Sequence, residues 1–284
     1  MNILHISDLH FGSYHWEGNN ELLLKKINSY NADVVINTGD VTSDSHESEF
    51  SDAGAFLDKI KCDNIISIVG NHDKFSKRSH ELFKEYIFNP DVVIEPPTKK
   101  DFKKKYLYLN KKNISVNEYF TDINYLKTVK IDGKTLLAVC IDSCYFQEDY
   151  GLVEENILKN ISLEIAKIKY DTAILLIHHS VLGTDEDPLV NSLKVIELLI
   201  NKHKIKYAFC GHTHQADLRE SYDLIIKHKF TQFMCGTTSS RSISHQGYNM
   251  FYFYKNMGEE NLEIYLIKIF IKGDGLEFQE ERIL

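Results

Sequence analysis

Five short blocks of metal-competent side chains each follow an apolar, β-branched run, and this coupling of strand to polar loop constrains the chain more than any other feature. The blocks are Asp8-Leu9-His10, Gly39-Asp40, Gly70-Asn71-His72-Asp73, His178-His179 and Gly211-His212-Thr213-His214. The runs before them include Ile3-Leu4-His5-Ile6, Val34-Val35-Ile36 and Ala173-Ile174-Leu175-Leu176-Ile177. Carboxyl ends of strands in a buried sheet share one edge, so loops leaving those ends converge even when far apart in sequence. The blocks are therefore expected to meet in one site.

Strand and helix alternate through the first ninety residues, with strands at 2–7, 33–37 and 64–69 and helices at about 19–30, 47–61 and 76–88, the last opening at Ser76. Such alternation favours parallel strands joined by helical crossovers. The pattern breaks at about 91–124, where Glu95-Pro96-Pro97 precedes a Lys-rich stretch, Lys99 to Lys112, that reads as an insertion or flap. Tyr125 to Val129 and Thr135 to Ile141 form an expected hairpin, because Asp132-Gly133 suits a tight turn with positive φ. A helix at about 153–168, a strand at 172–177, a helix capped by Asp187 with Pro188 in its first turn, and a strand at 206–210 follow. Residues from about 230 to 284 are strand-rich, and two sheets flanked by helices accommodate the whole order within 1–284 as a single domain.

A chain of 284 residues, 43% hydrophobic, has ample material for one large core. Its net charge of −8 argues against a general nucleic-acid coat, since affinity for the phosphate backbone comes from Lys and Arg. The five cysteines are scattered and partly inside expected strands, as for reduced core thiols, and Cys140 and Cys144 belong with these and not with a zinc pair. No apolar run reaches the roughly 18 residues of a membrane span, and the chain enters its first strand directly after Met1. A cytoplasmic protein with no membrane association is the expectation, with its oligomeric state left open.

Hydrolysing a phosphate ester at neutral pH needs a strong nucleophile and a way to hold charge around phosphorus. Two divalent metals roughly 3.5 to 4 Å apart meet both needs, and a shared carboxylate spaces them. Asp40, alone after Gly39, is the candidate bridge. Alternation along an extended segment would let Asp8 and His10 grip one ion together. Mixed carboxylate, amide and imidazole donors suit Mn, Fe or Zn, whether divalent or of mixed valence. Asn71 would add a ligand without adding negative charge, leaving room for an anionic substrate.

In this order the blocks resemble the calcineurin-like metallophosphoesterase superfamily, with Gly70-Asn71-His72-Asp73 and Gly211-His212-Thr213-His214 closest to its class III cyclic-nucleotide phosphodiesterase branch. The resemblance implies a four-layer α/β/β/α sandwich with two mixed sheets. It implies one metal on Asp8, His10, Asp40 and His214, and a second on Asp40, Asn71, His178 and His212. His72 would contact the phosphoryl group or protonate the leaving oxygen, and Asp73 would hold the His72 ring. The family often has prolines after the His-His pair, where this chain has Ser180-Val181-Leu182.

Taken singly, Asp8 or Gly39-Asp40 reads as a turn; five such turns matching in order and composition do not. Arg241, in a hydroxyl-rich segment after an expected strand, and His179, beside an expected ligand, are candidate substrate contacts. His5 reads as a satisfied core histidine, and Asp185-Glu186-Asp187 as a helix entrance. The reaction expected is hydrolysis of a phosphodiester, such as a cyclic nucleotide or glycerophosphodiester. A nuclease, a phosphomonoesterase and a noncatalytic metal-binding interaction protein are the rival readings.

Overall fold

A computed structural model of the chain describes residues 1–96, 106–109, 112–115, 122–145, 148–183, 188–241, 246–273 and 275–284. Two mixed sheets stack face to face. The first is built from β1 (Ile3–Ile6), β2 (Val34–Asn37), β3 (Ile65–Ser67), β13 (Asn249–Lys255), β14 (Glu263–Lys272) and β15 (Gly275–Arg282), in the order β15-β14-β13-β1-β2-β3. β1, β2 and β3 run parallel, whereas β13 is antiparallel to β1. The second sheet orders β11 (Asp217–Asp223), β12 (His228–Met234), β10 (Tyr207–Cys210), β9 (Thr172–Ile177), β8 (Lys134–Ile141), β7 (Tyr125–Ile131) and β4 (Val92–Val93). Here β8, β9, β10 and β12 are parallel. A separate ribbon pairs β5 (Tyr106–Leu109) with β6 (Lys112–Ser115).

Alternation along the strands sorts apolar side chains into three layers. Ile3, Val34 and Ile36 meet Leu136, Ile174, Leu176 and Phe209 between the sheets. Leu4, Ile6 and Val35 face the other way, onto α1 (Asn20–Asn28), α2 (Glu47–Leu57) and α3 (Ser79–Tyr86). Leu137, Val139, Leu175 and Ile177 of the second sheet pack on α4 (Glu155–Ile165), on α5 (Ser192–Val195) and on the π-helical turn Ile196–Asn201 that continues it. Helix, sheet, sheet and helix are thus the four expected layers, and a strand buried on both faces explains why the runs before the blocks are continuously apolar.

Several bounds differ from those expected. α3 starts at Ser79 because Ser76 is occupied in a turn: its carbonyl accepts from the Ser79 amide at 3.1 Å, and its own amide donates to Ser79 Oγ at 3.1 Å. α2 stops at Leu57, where tighter bonds from the amides of Lys59 and Ile60 to Phe56 and Leu57 take over. The helix expected to open at Asp187 begins later, since Leu189 bridges to Gly151 as an extended residue; Asp185, Glu186 and Asp187 lie outside the described residues, as does most of the Lys-rich stretch. The Asp132-Gly133 hairpin forms as expected, with φ of 50° and 78°. β11 was not expected at all, and it is an edge strand with polar residues on both faces.

Candidate metal centre

All five blocks leave carboxyl ends of parallel strands at one edge of the sandwich: Asp8 and His10 after β1, Asp40 after β2, Asn71 to Asp73 after β3, His178 after β9, His212 and His214 after β10. Asp8 and His10 are not extended, contrary to the expected strand-like alternation. Both have φ of 51°, as does Asp40, while His212 and His214 have φ of 77° and 56°. Left-handed backbone at a non-glycine residue costs of order 1–3 kcal/mol and persists only where the surroundings impose it. Here the imposing bonds are visible: the amides of Asp8 and His10 donate to the carbonyls of Gly39 and Asp40, each at 2.9 Å. The glycines opening two blocks admit close neighbours. A Cβ on Gly70 would lie 2.0 Å from Asp40 Oδ1, and one on Gly211 would lie 2.1 Å from Ser7 Oγ.

Donor atoms converge in two sets. Side-chain donor atoms of Asp8, His10, Asp40 and His214 all lie within 4.8 Å of one another. Within this set His214 Nε2 is 3.3 Å from Asp8 Oδ1, and His10 Nε2 is 3.9 Å from Asp40 Oδ2. In the second set His178 Nε2 is 3.5 Å from Asp40 Oδ2 and 3.1 Å from Asn71 Oδ1, and His212 Nδ1 is 3.2 Å from the same amide oxygen. Asp40 belongs to both. His10 and His214 bring their Nε2 atoms to 3.0 Å of each other, a spacing at which two imidazole lone pairs repel unless a proton or a cation lies between them. This donor set fits two transition-metal ions.

The electrostatics agree with that fit. Burial pushes His10 and His212 down to about 4, so both are neutral at pH 7 with lone pairs to offer. Burial also opposes ionisation of Asp40, yet the surrounding His178, His72 and His10 hold its carboxyl well below the usual range. For His178 burial is again the largest effect and is outweighed by Asp40, which carries the imidazole up to about 9. A metal binds through Nε2 only when that nitrogen is unprotonated, with the proton kept on Nδ1. The ring is aimed by its Nδ1, which donates to the Thr38 carbonyl at 2.7 Å.

Two expectations about neighbouring residues are corrected. Asp73 does not hold the His72 ring: its carboxylate accepts from the amides of Gly70 at 2.9 Å, Val41 at 3.2 Å and Thr42 at 2.8 Å, and from Thr42 Oγ1 at 2.8 Å. Asp73 therefore ties the Asp40 loop to the Asn71 loop, and burial together with Asp40 pushes its carboxyl up to about 7. The His72 ring is held instead by Nδ1 donating to the Ser43 carbonyl at 2.8 Å, with its edge against His10 at 4.8 Å between centroids. His179, expected as a substrate contact, is fully buried with both ring nitrogens engaged. Nε2 donates to the Asp149 carbonyl at 3.0 Å, so Nδ1 accepts from Ser143 Oγ at 2.8 Å. It packs behind His212 at 4.4 Å and forms part of the wall.

Arg241 also departs from its expected role. Its guanidinium donates to the His15 carbonyl at 2.6 Å and pairs with Glu17. It borders a cavity of about 420 Å³ lined by Phe11, Trp16 and Phe56. His5 is a core histidine, yet it also begins a buried chain to the centre. Its Nε2 contacts Thr38 Oγ1 at 2.9 Å, Thr38 donates to Ser7 Oγ at 2.7 Å, and Ser7 donates to Asp8 Oδ2. Unanticipated participants are Asp149, whose Oδ1 accepts from Asn71 Nδ2, and the buried pair Lys74–Asp142 at 2.6 Å. Tyr14, half exposed, faces both His10 and His72 edge-on at about 6 Å between centroids.

Residues 1–216 match the family model for calcineurin-like phosphoesterases. The chain is 26% identical over 188 residues to a probable cyclic nucleotide phosphodiesterase of Xenorhabdus bovienii, covering 64% of this chain and 61% of that protein. It is 27% identical over 100 residues to a probable cyclic nucleotide phosphodiesterase of Coxiella burnetii, covering 33% and 40% of the two chains. The matched segment thus spans less than two thirds of either relative. A dimetal phosphatase from Danio rerio has the same fold, with a TM-score of 0.54 at 13% identity over 100% of this chain and 98% of that one. No helix among the described residues is long and apolar enough to cross a membrane.

Proposed function

Because the chain belongs to the calcineurin-like phosphoesterase family, we propose that it is a metal-dependent hydrolase of phosphoester bonds whose substrate is a phosphodiester of the cyclic-nucleotide kind. The observation that carries the reading is Asp40, whose Oδ2 lies 3.9 Å from His10 Nε2 and 3.5 Å from His178 Nε2, one histidine from each donor set. Asp8, His10, Asp40 and His214 would hold one metal, and Asp40, Asn71, His178 and His212 the other. When bound, two such ions lower the pKa of a coordinated water towards about 7 and neutralise phosphate oxygens. The mixed donors suit Mn, Fe or Zn.

The chain's own residues complete the chemistry. Asn71 contributes a neutral oxygen, so the centre carries less negative charge against an incoming phosphate. His72 would protonate the leaving oxygen through Nε2, in the form that carries a proton on both ring nitrogens, because Nδ1 is committed to the Ser43 carbonyl. Tyr14 adds an exposed aromatic edge beside His10 and His72, where a substrate ring could rest. The diester preference rests on the names of the two bacterial relatives.

Metal-stripped protein reloaded separately with Mn, Fe, Zn, Co, Ni or Mg is the test, with bis(p-nitrophenyl) phosphate and p-nitrophenyl phosphate as substrates. Metal-restored cleavage of the diester, followed by hydrolysis of a 3′,5′-cyclic nucleotide, is the expected result. A strong preference for the monoester would move the substrate to phosphomonoesters. No turnover of any ester by protein shown to hold two metals would sink the hydrolase reading.

A further inference from the structure

The hairpin joining β11 to β12 ends in Leu224, Ile225 and Ile226, and Leu224 and Ile225 are 80% and 92% exposed. The turn does not need them. Asp223 Oδ1 accepts from the amides of Ile225 at 2.9 Å and Ile226 at 3.1 Å, which closes the turn whatever side chains project from it. Aliphatic side chains left in water at a projecting tip oppose the hydrophobic effect with no return in the folded chain itself. Tyr222, 54% exposed, continues the apolar surface along β11.

A partial basic collar flanks this tip. Lys227 and Lys229 follow it, and Lys202, Lys204 and Lys206 come from the segment entering β10; all are exposed. Two bonds hold that segment against the tip: Lys204 Nζ donates to the Ile226 carbonyl at 3.2 Å, and Asn201 Nδ2 donates to Asp223 Oδ2 at 3.0 Å. Among the described residues, two acids lie beside these lysines, and five lysines outnumber them. Glu220 pairs with Lys229 at 2.6 Å, and Asp223 is occupied by the turn amides and Asn201. On a chain of net charge −8, the collar is a local reversal of sign around the projecting aliphatic group.

We propose that this hairpin tip docks the protein on an anionic lipid surface. Leu224, Ile225 and Ile226 would enter the acyl boundary, Tyr222 would sit at headgroup level, and the lysines would reach anionic headgroups with their stems along the apolar surface. A protein hot spot is enriched in Trp, Tyr and Arg within a packed centre, whereas this tip is aliphatic, exposed and flanked by lysines. The topology also sets the orientation. β12 is parallel to β10, whose carboxyl end leads to His212, so the amino end of β12 and the tip lie at the opposite edge of the sheet. Seven residues of β12 separate the two edges, a rise of about 20 Å. A docked molecule would turn its metal centre away from the bilayer towards soluble substrate.

The test is co-sedimentation of the full chain with phosphatidylcholine vesicles and with vesicles containing roughly one-third phosphatidylserine. Binding to the anionic vesicles alone, weakened by salt, is the expected result. Ile225→Asp should reduce it by roughly tenfold or more, and Leu224→Ser and the double change Lys206→Glu with Lys227→Glu should each reduce it as well. The unfolding midpoint should remain that of the parent. Equal binding to both vesicle types, or Ile225→Asp and Leu224→Ser proteins that sediment like the parent, would overturn the proposal. So would vesicle-independent self-association that Ile225→Asp removes, which would make the tip a contact between copies. The readout is partitioning, so it stands apart from whether the metal centre turns over an ester.

Discussion

Asp149 accepts a hydrogen bond from Asn71 at 3.4 Å between Oδ1 and Nδ2, and this contact decides which end of the Asn71 amide meets the metal centre. With Nδ2 turned to Asp149, Oδ1 is the atom shown to His178 and His212. A rotated amide would present hydrogens there and repel a cation. Asp149→Ala removes the acceptor but leaves the Asp149 carbonyl on His179, so the wall behind His212 persists. Weaker occupancy of one metal position is expected, by roughly 10- to 100-fold in metal affinity, the usual range for a residue that orients a ligand. Metal titration of activity in parent and variant checks it; identical midpoints would show that Asp149 does not orient the amide.

Asp73 and His72 are adjacent in sequence, and the structure predicts opposite consequences of changing them. Asp73→Ala deletes the acceptor for three amides and a hydroxyl in two loops that carry Asp40 and Asn71. Unsatisfied buried donors cost about 1–3 kcal/mol each before relaxation, so a loss of at least about 3 kcal/mol in stability and poor metal retention are expected. His72→Ala should keep both metals and its unfolding midpoint while lowering turnover by roughly 10²- to 10⁴-fold. Metal analysis, thermal unfolding and kcat on the two variants separate these outcomes. A His72→Ala protein that lost its metals would contradict the role given to the ring.

His5 predicts a pH dependence of stability. Burial pushes its imidazole from the ordinary 6.5 down to about 3, so the unfolded chain binds a proton below about 6.5 that the folded chain refuses until about 3. Stability from this group is therefore present above 6.5 and lost as pH falls, with a slope approaching about 1.4 kcal/mol per pH unit. Between pH 7 and pH 5 the loss is about 2 kcal/mol. His5→Gln keeps a donor for Thr38 and cannot titrate, so its denaturation midpoint should change less with pH than that of the parent by that amount. Parallel curves for the two metal-free proteins would refute the assignment.

The convergence of the blocks was legible because each is a Gly, His or acidic loop placed directly after a β-branched run, and parallel strands bring such loops to one edge. The same rule, applied once more, would have found Asp142 and Ser143, which leave β8 at the same edge and engage Lys74 and His179. Nothing local marks Asp149, whose importance comes from facing Asn71 across 78 positions. His178 and His179 look alike in sequence; the Thr38 carbonyl turns one towards Asp40 and the Asp149 carbonyl fixes the other in the wall. β11 escaped notice because an edge strand solvated on both faces carries no hydrophobic alternation.

Removing the metals should cost stability as well as activity. Five candidate ligands hold left-handed backbone, and Asp8 and Asp40 are fully or almost fully buried carboxylates in one cluster. A cation that binds only the folded centre stabilises it by mass action, by about 2.7 kcal/mol when present at 100 times its Kd. Chelator-treated protein should therefore unfold several degrees lower and regain both its Tm and the proposed phosphoester hydrolysis on adding Mn. Asp40→Ala, which removes the residue common to both donor sets, should show no activity at any metal concentration and a Tm that Mn no longer raises. If Mn raised the Tm of Asp40→Ala as much as that of the parent, Asp40 would not be the shared ligand, and the centre would have to be rebuilt around another carboxylate.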